Sequence, residues 1–314
     1  MAERLGTLVF SSDFDDFATW KNALQAQLPD LQVVHASAIE RPEDVRYAMV
    51  WKPPAGFFER LLGLQLIINL GAGVDALVAR SDLPPGIPIT RITDPQMSRM
   101  MAGYVLFAVL RHARDIPHFE QAQRRGEWAY RHPRAPDETT VAVLGLGQLG
   151  AMAAHEVQRQ GFRTLGWSRT LRQIDGVQCF SGMETLDDVL GQADIVVLML
   201  PATPHTHQLL DRNRLMRMRQ GAALVNVARG SLVDQAAMVD LLRSGHIGAA
   251  TLDVFTQEPL PRDDALWSLP NVLVTPHLAS VAIPASSAQQ IAANIVRVAQ
   301  GLDPDNRVDA ERGY

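Results

Sequence analysis

The sequence predicts an α/β protein with two doubly wound, Rossmann-like domains, one of them inserted into the other. A length of 314 residues suggests about two domains, each large enough for its own core. Short apolar runs alternate with helical patterns in both halves, as expected for parallel βαβ units. A glycine-rich stretch, Val141-Ala-Val-Leu-Gly-Leu-Gly-Gln-Leu-Gly150, lies at the tip of a predicted buried strand and indicates a dinucleotide site.

Composition and charge narrow the possible classes of protein. The hydrophobic content of 47% and the charged content of 20% are ordinary for a globular protein. A net charge of −5 gives no reason to expect nucleic acid or an anionic membrane as a partner. Cys179 is the single cysteine, so no internal disulfide can form, and the first residues lack the apolar run of a signal peptide. We therefore expect a soluble, cytoplasmic protein without a metal site.

The first 92 residues contain five predicted strands with helices between them. The strands are predicted over residues 5–10, 31–35, 47–51, 64–70 and 87–92, and the helices over residues 14–28, 56–62 and 74–79. Asp13 is available to cap the first helix. Two turns, Trp51-Lys-Pro-Pro and Asn69-Leu-Gly-Ala-Gly-Val-Asp75, follow the carboxyl ends of strands, where ligands of open α/β sheets bind.

Residues 95–125 are predicted to form one long helix that is apolar on several sides. Its methionines and aromatic residues cover too much of its circumference for a single buried stripe. Such a helix must be buried between domains or against another subunit, and we expect a homodimer in which the second subunit covers part of it. A polar stretch over residues 126–139 follows. Trp128 lies in this stretch.

The second half of the chain repeats the α/β pattern. Strands are predicted over residues 140–144, 163–167, 194–200, 223–227, 249–254 and 272–275, and helices over residues 151–160, 184–191, 213–218 and 235–244. A helix predicted over residues 284–300 has no strand of its own to pair with, and a polar tail over residues 303–314 follows it. We therefore assign residues 1–98 and 282–314 to a substrate domain, and residues 99–281 to an inserted dinucleotide-binding domain.

Each glycine of the G-x-G-x-x-G pattern has a mechanical role. Gly145 permits a tight turn, Gly147 lets the backbone approach a pyrophosphate, and Gly150 lets helix and strand pack closely. The pyrophosphate would lie at the unpaired N–H groups and the positive dipole end of the following helix. A glycine turn without a ligand is the alternative, but the strand before the loop and the helix after it favour the dinucleotide site.

Three polar residues of the second half each come just after a predicted strand. They are Arg229 in Asn-Val-Ala-Arg-Gly, Glu258 in Thr-Gln-Glu-Pro and His277 in Thr-Pro-His. Taken singly, they could be a solvent-facing arginine, a loop carboxylate and a histidine in a turn. Their shared position at the ligand-binding edge of the sheet makes them candidates for catalysis, and spacing alone leaves both interpretations open.

Taken together, the motifs resemble those of the D-2-hydroxyacid dehydrogenase family, and within it the glyoxylate/hydroxypyruvate reductase A group. The resemblance covers almost the whole chain. It rests on Trp51-Lys-Pro-Pro, Leu70-Gly-Ala-Gly-Val-Asp75, the glycine-rich loop, Trp167-Ser-Arg-Thr170, Asn226-Val-Ala-Arg-Gly230, residues 252–260, Thr275-Pro-His277 and the terminal Arg312-Gly-Tyr314. One departure is Gly103, where members usually carry glutamate, and it affects the interactions of the long helix rather than the chemistry.

The resemblance implies a set of catalytic roles that suit these residue types. Arg229 would hold the substrate carboxylate with its planar guanidinium group. Protonated His277 would give its proton to the keto oxygen as hydride arrives from a nicotinamide cofactor. Glu258 would hydrogen-bond the imidazole, fix its tautomer and favour its charged form. The implied reaction is the reduction of glyoxylate or hydroxypyruvate to glycolate or D-glycerate.

The resemblance also implies which residues contact the two ligands. The backbone N–H groups of Ala72 and Gly73 would receive the substrate carboxylate, and Asp253 would bind the carboxamide of the nicotinamide ring. Trp51 and Lys52 would line the substrate pocket, unless they are a core tryptophan and a surface lysine. Trp128 matches the family's tryptophan after the long helix and would belong to the neighbouring subunit's active site or its rim, unless it only anchors residues 126–139 to its own subunit. The substrate-binding set is Trp51, Lys52, Leu70, Gly71, Ala72, Gly73, Arg229 and His277. The cofactor-binding set is Gly145, Gly147, Gln148, Leu149, Gly150, Ser168, Arg169, Thr170, Leu200, Pro201, Val227, Ala228, Asp253 and His277.

The residues after the second strand of the glycine-rich domain predict the type of cofactor. An enzyme specific for NAD would place Asp or Glu there to bind the ribose 2′-hydroxyl group. This chain has Ser168-Arg169-Thr170 instead, a guanidinium and two hydroxyls that can bind a 2′-phosphate. We predict a preference for NADP(H), with NAD(H) as the second candidate. A solvated arginine at the end of a strand is the alternative interpretation.

Other functions are compatible with the same fold. A cofactor-sensing binding protein would need the glycine-rich loop but not the acid–base pair of Glu258 and His277. Formate dehydrogenases carry glutamine at the position of Glu258, because hydride removal from formate needs no proton donor. A phosphoglycerate dehydrogenase is disfavoured by the lack of an added regulatory domain, although shorter forms exist. Among small 2-keto acids, the sequence does not rank glyoxylate, hydroxypyruvate and phenylpyruvate.

Overall fold

The structure, a computed structural model, describes residues 5–309. These residues form two compact units. The first unit comprises the chain up to Met97 together with the chain from Val281 onward, and the second runs from Ser98 to Ser280. The second unit is therefore inserted into the first, and both have parallel sheets with interleaved helices. The terminal motif Arg312-Gly-Tyr314 lies outside the described residues.

The sheet of the first unit has five parallel strands. They are β1 (Thr7–Ser11), β2 (Gln32–His35), β3 (Val45–Val50), β4 (Leu66–Asn69) and β5 (Ile89–Arg91). All five were predicted, and their ends differ from the predicted ends by two residues at most. Their order is β2-β1-β3-β4-β5, so the direction in which strands are added reverses between β1 and β3. Open α/β sheets bind ligands at such a point, outside the carboxyl ends of the strands.

Both faces of this sheet are covered, because successive side chains of a strand point to opposite faces. Leu8 and Phe10 pack on one face with Trp20 of helix α1 (Phe17–Gln27). Val9 packs on the other face with Phe58. Every residue of β1 is buried, as expected for a parallel strand that is covered on both sides.

Helix α1 begins three residues later than predicted, and Asp13 does not cap it. The N-cap is Asp16, whose carboxylate accepts a hydrogen bond from the backbone N–H of Thr19 at 2.7 Å. The hydroxyl oxygen of Ser12 accepts the N–H groups two and three residues further on, at 3.2 and 3.3 Å. These bonds hold residues 12–15 in a turn, so the helix can start only after them.

The helix predicted over residues 56–62 is a single 3-10 turn, Phe58–Arg60. Gly56 has a φ of +72°, a left-handed conformation that does not continue into a helix. The prediction of a longer helix at 56–62 was therefore wrong. The helix predicted over residues 74–79 is present as α2 (Asp75–Val78).

The sheet of the second unit has seven parallel strands. They are β6 (Thr140–Leu144), β7 (Arg163–Ser168), β8 (Gln178–Ser181), β9 (Ile195–Leu198), β10 (Ala222–Asn226), β11 (Ile247–Leu252) and β12 (Val272–Val274). Their order is β12-β11-β10-β9-β6-β7-β8, which reverses between β6 and β9. Only β8 was not predicted. It is a short edge strand with no fully buried residue, so its sequence lacks the apolar pattern.

Helices cover this second sheet on both faces. In chain order they are α3 (Pro95–Ala113), which begins just before the unit boundary, α4 (Ile116–Arg124), α5 (Gln148–Arg159), α6 (Leu186–Gln192), α7 (Arg212–Arg217) and α8 (Gln235–Ser244). Helix α9 (Pro284–Ala299) belongs to the first unit, where it packs beside α1.

The helix predicted over residues 95–125 is in fact two helices, α3 and α4. The break lies at Asp115, which adopts a left-handed conformation with a φ of 53°. Pro117 follows in the first turn of α4, where its missing N–H costs nothing because the first N–H groups of a helix have no intrahelical acceptor. The prediction of one continuous helix was wrong because the apolar spacing continues across this turn.

The described part of the polar tail is bound to the edge strand β5. The N–H of Val308 donates to the carbonyl of Ile89 at 2.8 Å, and Arg307 forms an antiparallel bridge with Thr90. None of the helices within residues 5–309 has an apolar stretch of the length needed to span a lipid bilayer. The same residues contain no group of His, Cys, Asp or Glu side chains that could hold a metal ion.

Candidate active site

The glycine-rich loop joins β6 to α5 at the point where the order of the seven-stranded sheet reverses. Gly145 has a φ of +110°, and a Cβ atom there would lie 2.5 Å from the carbonyl oxygen of Met199. A Cβ atom on Gly150 would lie 1.8 Å from the carbonyl oxygen of Gly145. Both positions therefore require glycine on steric grounds.

The middle glycine of the loop, Gly147, has open space beside its backbone. A Cβ atom built on it meets no atom within 4 Å among the described residues. Gly147 is also the N-cap of α5, and no side chain makes the capping hydrogen bond in this part of the structure. The first N–H groups of α5, in the turn of Gln148 and Leu149, have no intrahelical acceptor and lie at the positive end of the helix dipole. This geometry fits the pyrophosphate of a dinucleotide.

Strand β7 ends at Ser168, beside β6 and at the same edge of the sheet as the glycine-rich loop. The buried hydroxyl of Ser168 donates a hydrogen bond to the carbonyl of Thr170 at 2.8 Å. It therefore has no second proton to offer a phosphate in this arrangement. Arg169 and Thr170 are exposed, so they are the members of the predicted triplet that present their side chains at the surface.

The other predicted cofactor contacts follow the strands next to β6. Leu200 and Pro201 come after β9, the first buried and the second exposed. Val227 and Ala228 come after β10 and are buried. Because parallel strands end on one side of a sheet, all four residues lie at the same edge as the glycine-rich loop.

Arg229 is placed by a turn that Asn226 folds. The buried amide of Asn226, the last residue of β10, donates to the carbonyl of Arg229 at 2.9 Å and accepts the N–H of Ala228 at 3.1 Å. The half-buried guanidinium of Arg229 donates from Nη1 to the carbonyl of Ala228 at 2.7 Å. Hydrogen bonds from the side chains at both ends of the turn therefore hold it in this conformation.

Gly230 brings the Arg229 turn into backbone contact with the loop that carries Glu258. A Cβ atom on Gly230 would lie 2.0 Å from the carbonyl carbon of Phe255 and 2.3 Å from the nitrogen of Thr256. No side chain can occupy that space unless one of the two loops moves. The spacing between these loops therefore depends on glycine at this position.

Glu258 and His277 form a hydrogen-bonded pair at the ends of β11 and β12. Nδ1 of His277 lies 2.9 Å from Oε2 of Glu258, and Oε1 of Glu258 accepts the N–H of Phe255 at 3.0 Å. A carboxylate can only accept, so Nδ1 carries a proton and the ring presents Nε2 on its opposite side. The side chains of His277 and Glu258 are 28% and 19% exposed, so solvent reaches the pair.

Asp253 anchors the loop that carries His277. Its carboxylate is 1% exposed and accepts the N–H groups of Leu278 and Ala279, both at 2.9 Å, and the hydroxyl of Thr275 at 2.6 Å. Its backbone carbonyl accepts the N–H of His277 at 2.9 Å. His277 has a φ of 55°, a left-handed conformation that is uncommon outside glycine and must be held by such bonds. A nicotinamide carboxamide at Asp253 would share a carboxylate that already binds three donors of the chain.

The predicted substrate residues of the first unit meet at the carboxyl ends of β3 and β4. The ring of Trp51 packs on Gly71, where a Cβ atom would lie 2.6 Å from ring carbon Cζ3. Nζ of Lys52 lies 6.0 Å from the centroid of the Trp51 ring, within cation–π range. The N–H of Leu70 donates to the carbonyl of Val50 at 2.9 Å, which ties the end of one strand to the other.

Asn69 folds the turn that contains Ala72 and Gly73. Its buried Nδ2 donates to the carbonyls of Gly71 and Gly73 at 2.9 and 3.0 Å. Within residues 5–309, the N–H groups of Ala72 and Gly73 have no hydrogen-bond acceptor. A turn with two such N–H groups can bind an anion such as a carboxylate.

Asn69, Asn226 and Gly230 shape these turns, and none of these three roles was predicted from the sequence. A signal for the two asparagines was present, since each ends a buried strand just before a glycine-containing turn. Asparagine side chains commonly bond the backbone two residues further on. No local pattern shows that Gly230 must pack against Phe255, because the two residues belong to different loops.

Comparison with known proteins agrees with this geometry. Residues 106–279 match the family model described as D-isomer specific 2-hydroxyacid dehydrogenase, NAD binding domain. The chain is 35% identical over 313 residues to a glyoxylate/hydroxypyruvate reductase A of Yersinia enterocolitica, across 98% of this chain and 99% of the relative. It is 36% identical, with the same coverage, to a glyoxylate/hydroxypyruvate reductase A of Serratia proteamaculans.

The chain is also similar to solved structures of 2-hydroxyacid dehydrogenases and reductases. A D-isomer specific 2-hydroxyacid dehydrogenase of Xanthobacter autotrophicus Py2, in complex with NADPH and MES, is 57% identical with a TM-score of 0.93, across 98% of this chain and 99% of that one. An NADPH-dependent glyoxylate/hydroxypyruvate reductase of Sinorhizobium meliloti, in complex with NADP and sulfate, is 30% identical with a TM-score of 0.92. The match covers 98% of this chain and all of that one.

The fold and the glycine-rich loop, together with these relatives, define an oxidoreductase of 2-hydroxy acids that uses a nicotinamide dinucleotide. The chain belongs to the D-isomer specific 2-hydroxyacid dehydrogenase family, and among its members it is similar to the glyoxylate/hydroxypyruvate reductase A type. The family, the fold class and the enzyme class predicted from the sequence are confirmed.

Proposed function

We propose that the protein reduces glyoxylate and hydroxypyruvate to glycolate and D-glycerate, with NADPH as the hydride donor. The observation that carries this proposal is the pair formed by Glu258 and His277 at 2.9 Å. Reduction of a keto group needs a proton donor, and a histidine held by a carboxylate at the ligand-binding edge is suited to that role. The relatives named glyoxylate/hydroxypyruvate reductase A support the choice of substrates.

In the proposed reaction the carbonyl carbon of the keto acid gains a hydride and its oxygen gains a proton. When bound, a nicotinamide cofactor would supply the hydride and be oxidised. His277 gives the proton from Nε2, because Nδ1 is held by Glu258. Glu258 keeps the imidazole in the required tautomer and stabilises its positive charge until the proton leaves. Solvent, which reaches the partly exposed ring, then returns a proton to His277.

We assign binding of the substrate carboxylate to the guanidinium group of Arg229 and to the backbone N–H groups of Ala72 and Gly73. Arg229 offers a planar, permanently charged fork in a turn fixed by Asn226. The turn of Ala72 and Gly73 in the first unit offers two N–H groups that suit a carboxylate. We keep Trp51 and Lys52, which lie together at the end of β3, as further substrate-binding residues.

The residues at the end of β7 support a preference for NADPH over NADH. Arg169 and Thr170 are exposed there, and no carboxylate stands in the Ser168-Arg169-Thr170 segment to repel a 2′-phosphate. The Xanthobacter relative was solved with NADPH and the Sinorhizobium relative with NADP, which supports the same choice. NAD(H) stays as the second candidate.

We also propose that the chain acts as a cytoplasmic homodimer. Phe107 and Leu110 of α3 are 49% and 39% exposed, and Trp128 is 99% exposed. A tryptophan so exposed makes almost no contact with its own chain, which favours a role at the neighbouring subunit over the alternative in which it anchors residues 126–139 to its own subunit. Exposed large apolar side chains gathered on one segment suit a subunit interface. The lone Cys179 suits a reducing compartment.

A substrate panel with reduced cofactor tests the proposed reaction. Purified protein is mixed with NADPH and with glyoxylate, hydroxypyruvate, pyruvate or phenylpyruvate, and the loss of reduced-cofactor absorbance is followed. His277→Ala should lower kcat by roughly 10²–10⁴-fold while NADPH binding is kept. His246→Ala, at the amino end of β11 and therefore away from the carboxyl edge, is the matched control and should keep full activity. NADPH binding without oxidation by any keto acid would instead support the cofactor-sensing alternative.

A further inference from the structure

A chain of two short hydrogen bonds joins Tyr104 of α3 to the loop that carries His277. The hydroxyl oxygen of Tyr104 lies 2.5 Å from Oγ1 of Thr275, and Thr275 donates to Asp253 at 2.6 Å. The carboxylate of Asp253 accepts and does not donate, so the single hydroxyl proton of Thr275 is used in the second bond. Tyr104 must therefore donate the hydrogen of the first bond.

The hydroxyl of Tyr104 is suited to donate this hydrogen bond to Thr275 throughout the neutral range of pH. Burial raises the pKa of its hydroxyl, and the negative charge of Asp253 acts in the same direction. The hydrogen bond with Thr275 and the positive charge of Arg111 act in the opposite direction but do not outweigh burial. The phenol consequently keeps its proton, and the bond keeps its direction, across the neutral range of pH.

The far end of this chain is the group that holds His277. Asp253 accepts the N–H groups of the two residues after His277, and its own carbonyl accepts the N–H of His277. His277 is in a left-handed conformation that needs these bonds. A shift of the Asp253 carboxylate would therefore be passed to the backbone on both sides of the imidazole ring.

We propose that Tyr104 is a positioning residue for His277, which it holds in place through Thr275 and Asp253. The proposal rests on the role of His277 as proton donor, and no proton of the reaction passes through Tyr104. Tyr104 thus ties α3 to the end of β12, across 171 residues of sequence. Loss of its hydroxyl should loosen the His277 loop and leave the ring packing of residue 104 in place.

The first test compares Tyr104→Phe with wild type in two independent measurements. The kcat for glyoxylate reduction should fall roughly 3- to 10-fold, as expected for one lost hydrogen bond, while KM changes less. Hydrogen–deuterium exchange of the peptide over residues 275–281 should become faster. Tyr47→Phe removes the hydroxyl of a buried tyrosine in β3 and serves as the matched control, with no change in either measurement. Unchanged kcat together with unchanged exchange in Tyr104→Phe would overturn the proposal.

The second test asks whether Tyr104 acts through Thr275. Thr275→Val breaks both hydrogen bonds, whereas Thr275→Ser keeps the hydroxyl and should restore most of the activity. If the chain is the route, adding Tyr104→Phe to Thr275→Val should lower kcat no further. Losses that multiply in the double variant would show that Tyr104 acts elsewhere, and would overturn the proposal.

The exchange measurement separates this proposal from the proposed function. Should His277→Ala keep the wild-type kcat, His277 is not the proton donor, and the proposed reaction mechanism fails. Exchange over residues 275–281 would then still decide whether Tyr104 holds the loop. Faster exchange in Tyr104→Phe than in Tyr47→Phe supports that role, and equal exchange in the two variants rejects it.

Discussion

The carboxylate of Glu258 is held at both oxygens, by the N–H of Phe255 at 3.0 Å and by Nδ1 of His277 at 2.9 Å. The backbone bond fixes the carboxylate, and the carboxylate in turn fixes the tautomer of the imidazole. The pair joins the loops after two neighbouring parallel strands, β11 and β12. Because the pairing of β11 with β12 fixes the distance between these loops, the sheet sets the relative position of Glu258 and His277.

Glu258→Gln should lower kcat for keto-acid reduction roughly 5- to 10-fold, because a neutral amide replaces the carboxylate that holds Nδ1 of His277. A hydrogen bond to a charged group contributes about 1.5–3 kcal/mol and a neutral one about 0.5–1.5 kcal/mol, and the difference gives this factor. The measurement is kcat for glyoxylate reduction at saturating NADPH. Glu40→Gln, an exposed residue of the first unit, is the control. An unchanged kcat in the Glu258 variant would show that the charge of this carboxylate does not support His277.

Arg169→Ala should remove most of the preference for NADPH. A charge-assisted hydrogen bond to a 2′-phosphate contributes about 1.5–3 kcal/mol, so kcat/KM for NADPH should fall roughly 10- to 100-fold. The kcat/KM for NADH should change much less. Arg163→Ala, at the exposed amino end of the same strand, is the matched control. Equal kcat/KM values for the two cofactors in the wild-type protein would contradict the assignment of Arg169.

Two glycine-to-alanine changes within helices should have opposite effects. In Gly150→Ala the new Cβ atom would lie 1.8 Å from the carbonyl oxygen of Gly145, so the loop must move and NADPH binding should be lost. In Gly103→Ala the Cβ atom meets nothing within 4 Å in the described chain, and stability should rise by about 0.5–1 kcal/mol from helix propensity. Thermal unfolding and NADPH titration of both variants test this pair. Retained NADPH affinity in the first variant would argue against the loop as the pyrophosphate site.

His112 should make the protein sensitive to acid. It is buried on α3 with Nε2 3.0 Å from the hydroxyl of Thr251. Burial, with a smaller contribution from the neighbouring Arg111, lowers the pKa of His112 to about 3 from an ordinary value of 6.5. The native state therefore holds the neutral form. Its contribution to stability is complete above pH 6.5 and is lost as the pH falls toward 3, by up to about 1.4 kcal/mol per pH unit.

Urea unfolding at pH 7.5 and pH 5 measures this effect. The wild-type protein should lose up to about 2 kcal/mol of stability from His112 between these conditions. His112→Gln, which cannot take up a proton, should lose less on acidification even if it is less stable at pH 7.5. The less buried His246→Gln is the control. An equal loss of stability in wild type and in His112→Gln would contradict the role of His112.

Trp128 should act across the dimer interface. Light scattering should give about twice the chain mass of 34.5 kDa, and a particle of one chain mass would end the dimer proposal. If dimers form, inactive His277→Ala chains are mixed with Trp128→Ala chains so that hybrids assemble. The hybrid then has one site that combines an intact His277 with an intact Trp128 from its partner, and activity should exceed the mean of the two parents. A strictly average activity would show that Trp128 serves the structure of its own subunit.

Local sequence patterns were sufficient to predict every strand of the two sheets except β8, the insertion of one unit into the other and the glycine-rich loop. Apolar runs and glycine turns act over a few residues, so they are readable without a structure. The predicted ends of helices were wrong where a local turn or a single backbone angle, which apolar spacing does not show, interrupted the helix. Asp115 breaks the long helix through its left-handed conformation, and Ser12 delays the start of α1 by holding a turn.

Only the tertiary structure showed how the candidate site is held together. Glu258 meets His277 across 19 residues, Asp253 reaches the loop after β12, and Tyr104 reaches Thr275 across 171 residues. The sequence placed Asp253, Glu258, Thr275 and His277 at or just after the ends of predicted strands, and it placed Tyr104 on a predicted helix. The family resemblance implied the bond between Glu258 and His277, but no sequence pattern showed the contacts of Asp253 and Tyr104. Those contacts depend on the order of the strands in the sheet and on the angles of the loops between them. Both are decided when the whole core packs, and neither is encoded in any one segment.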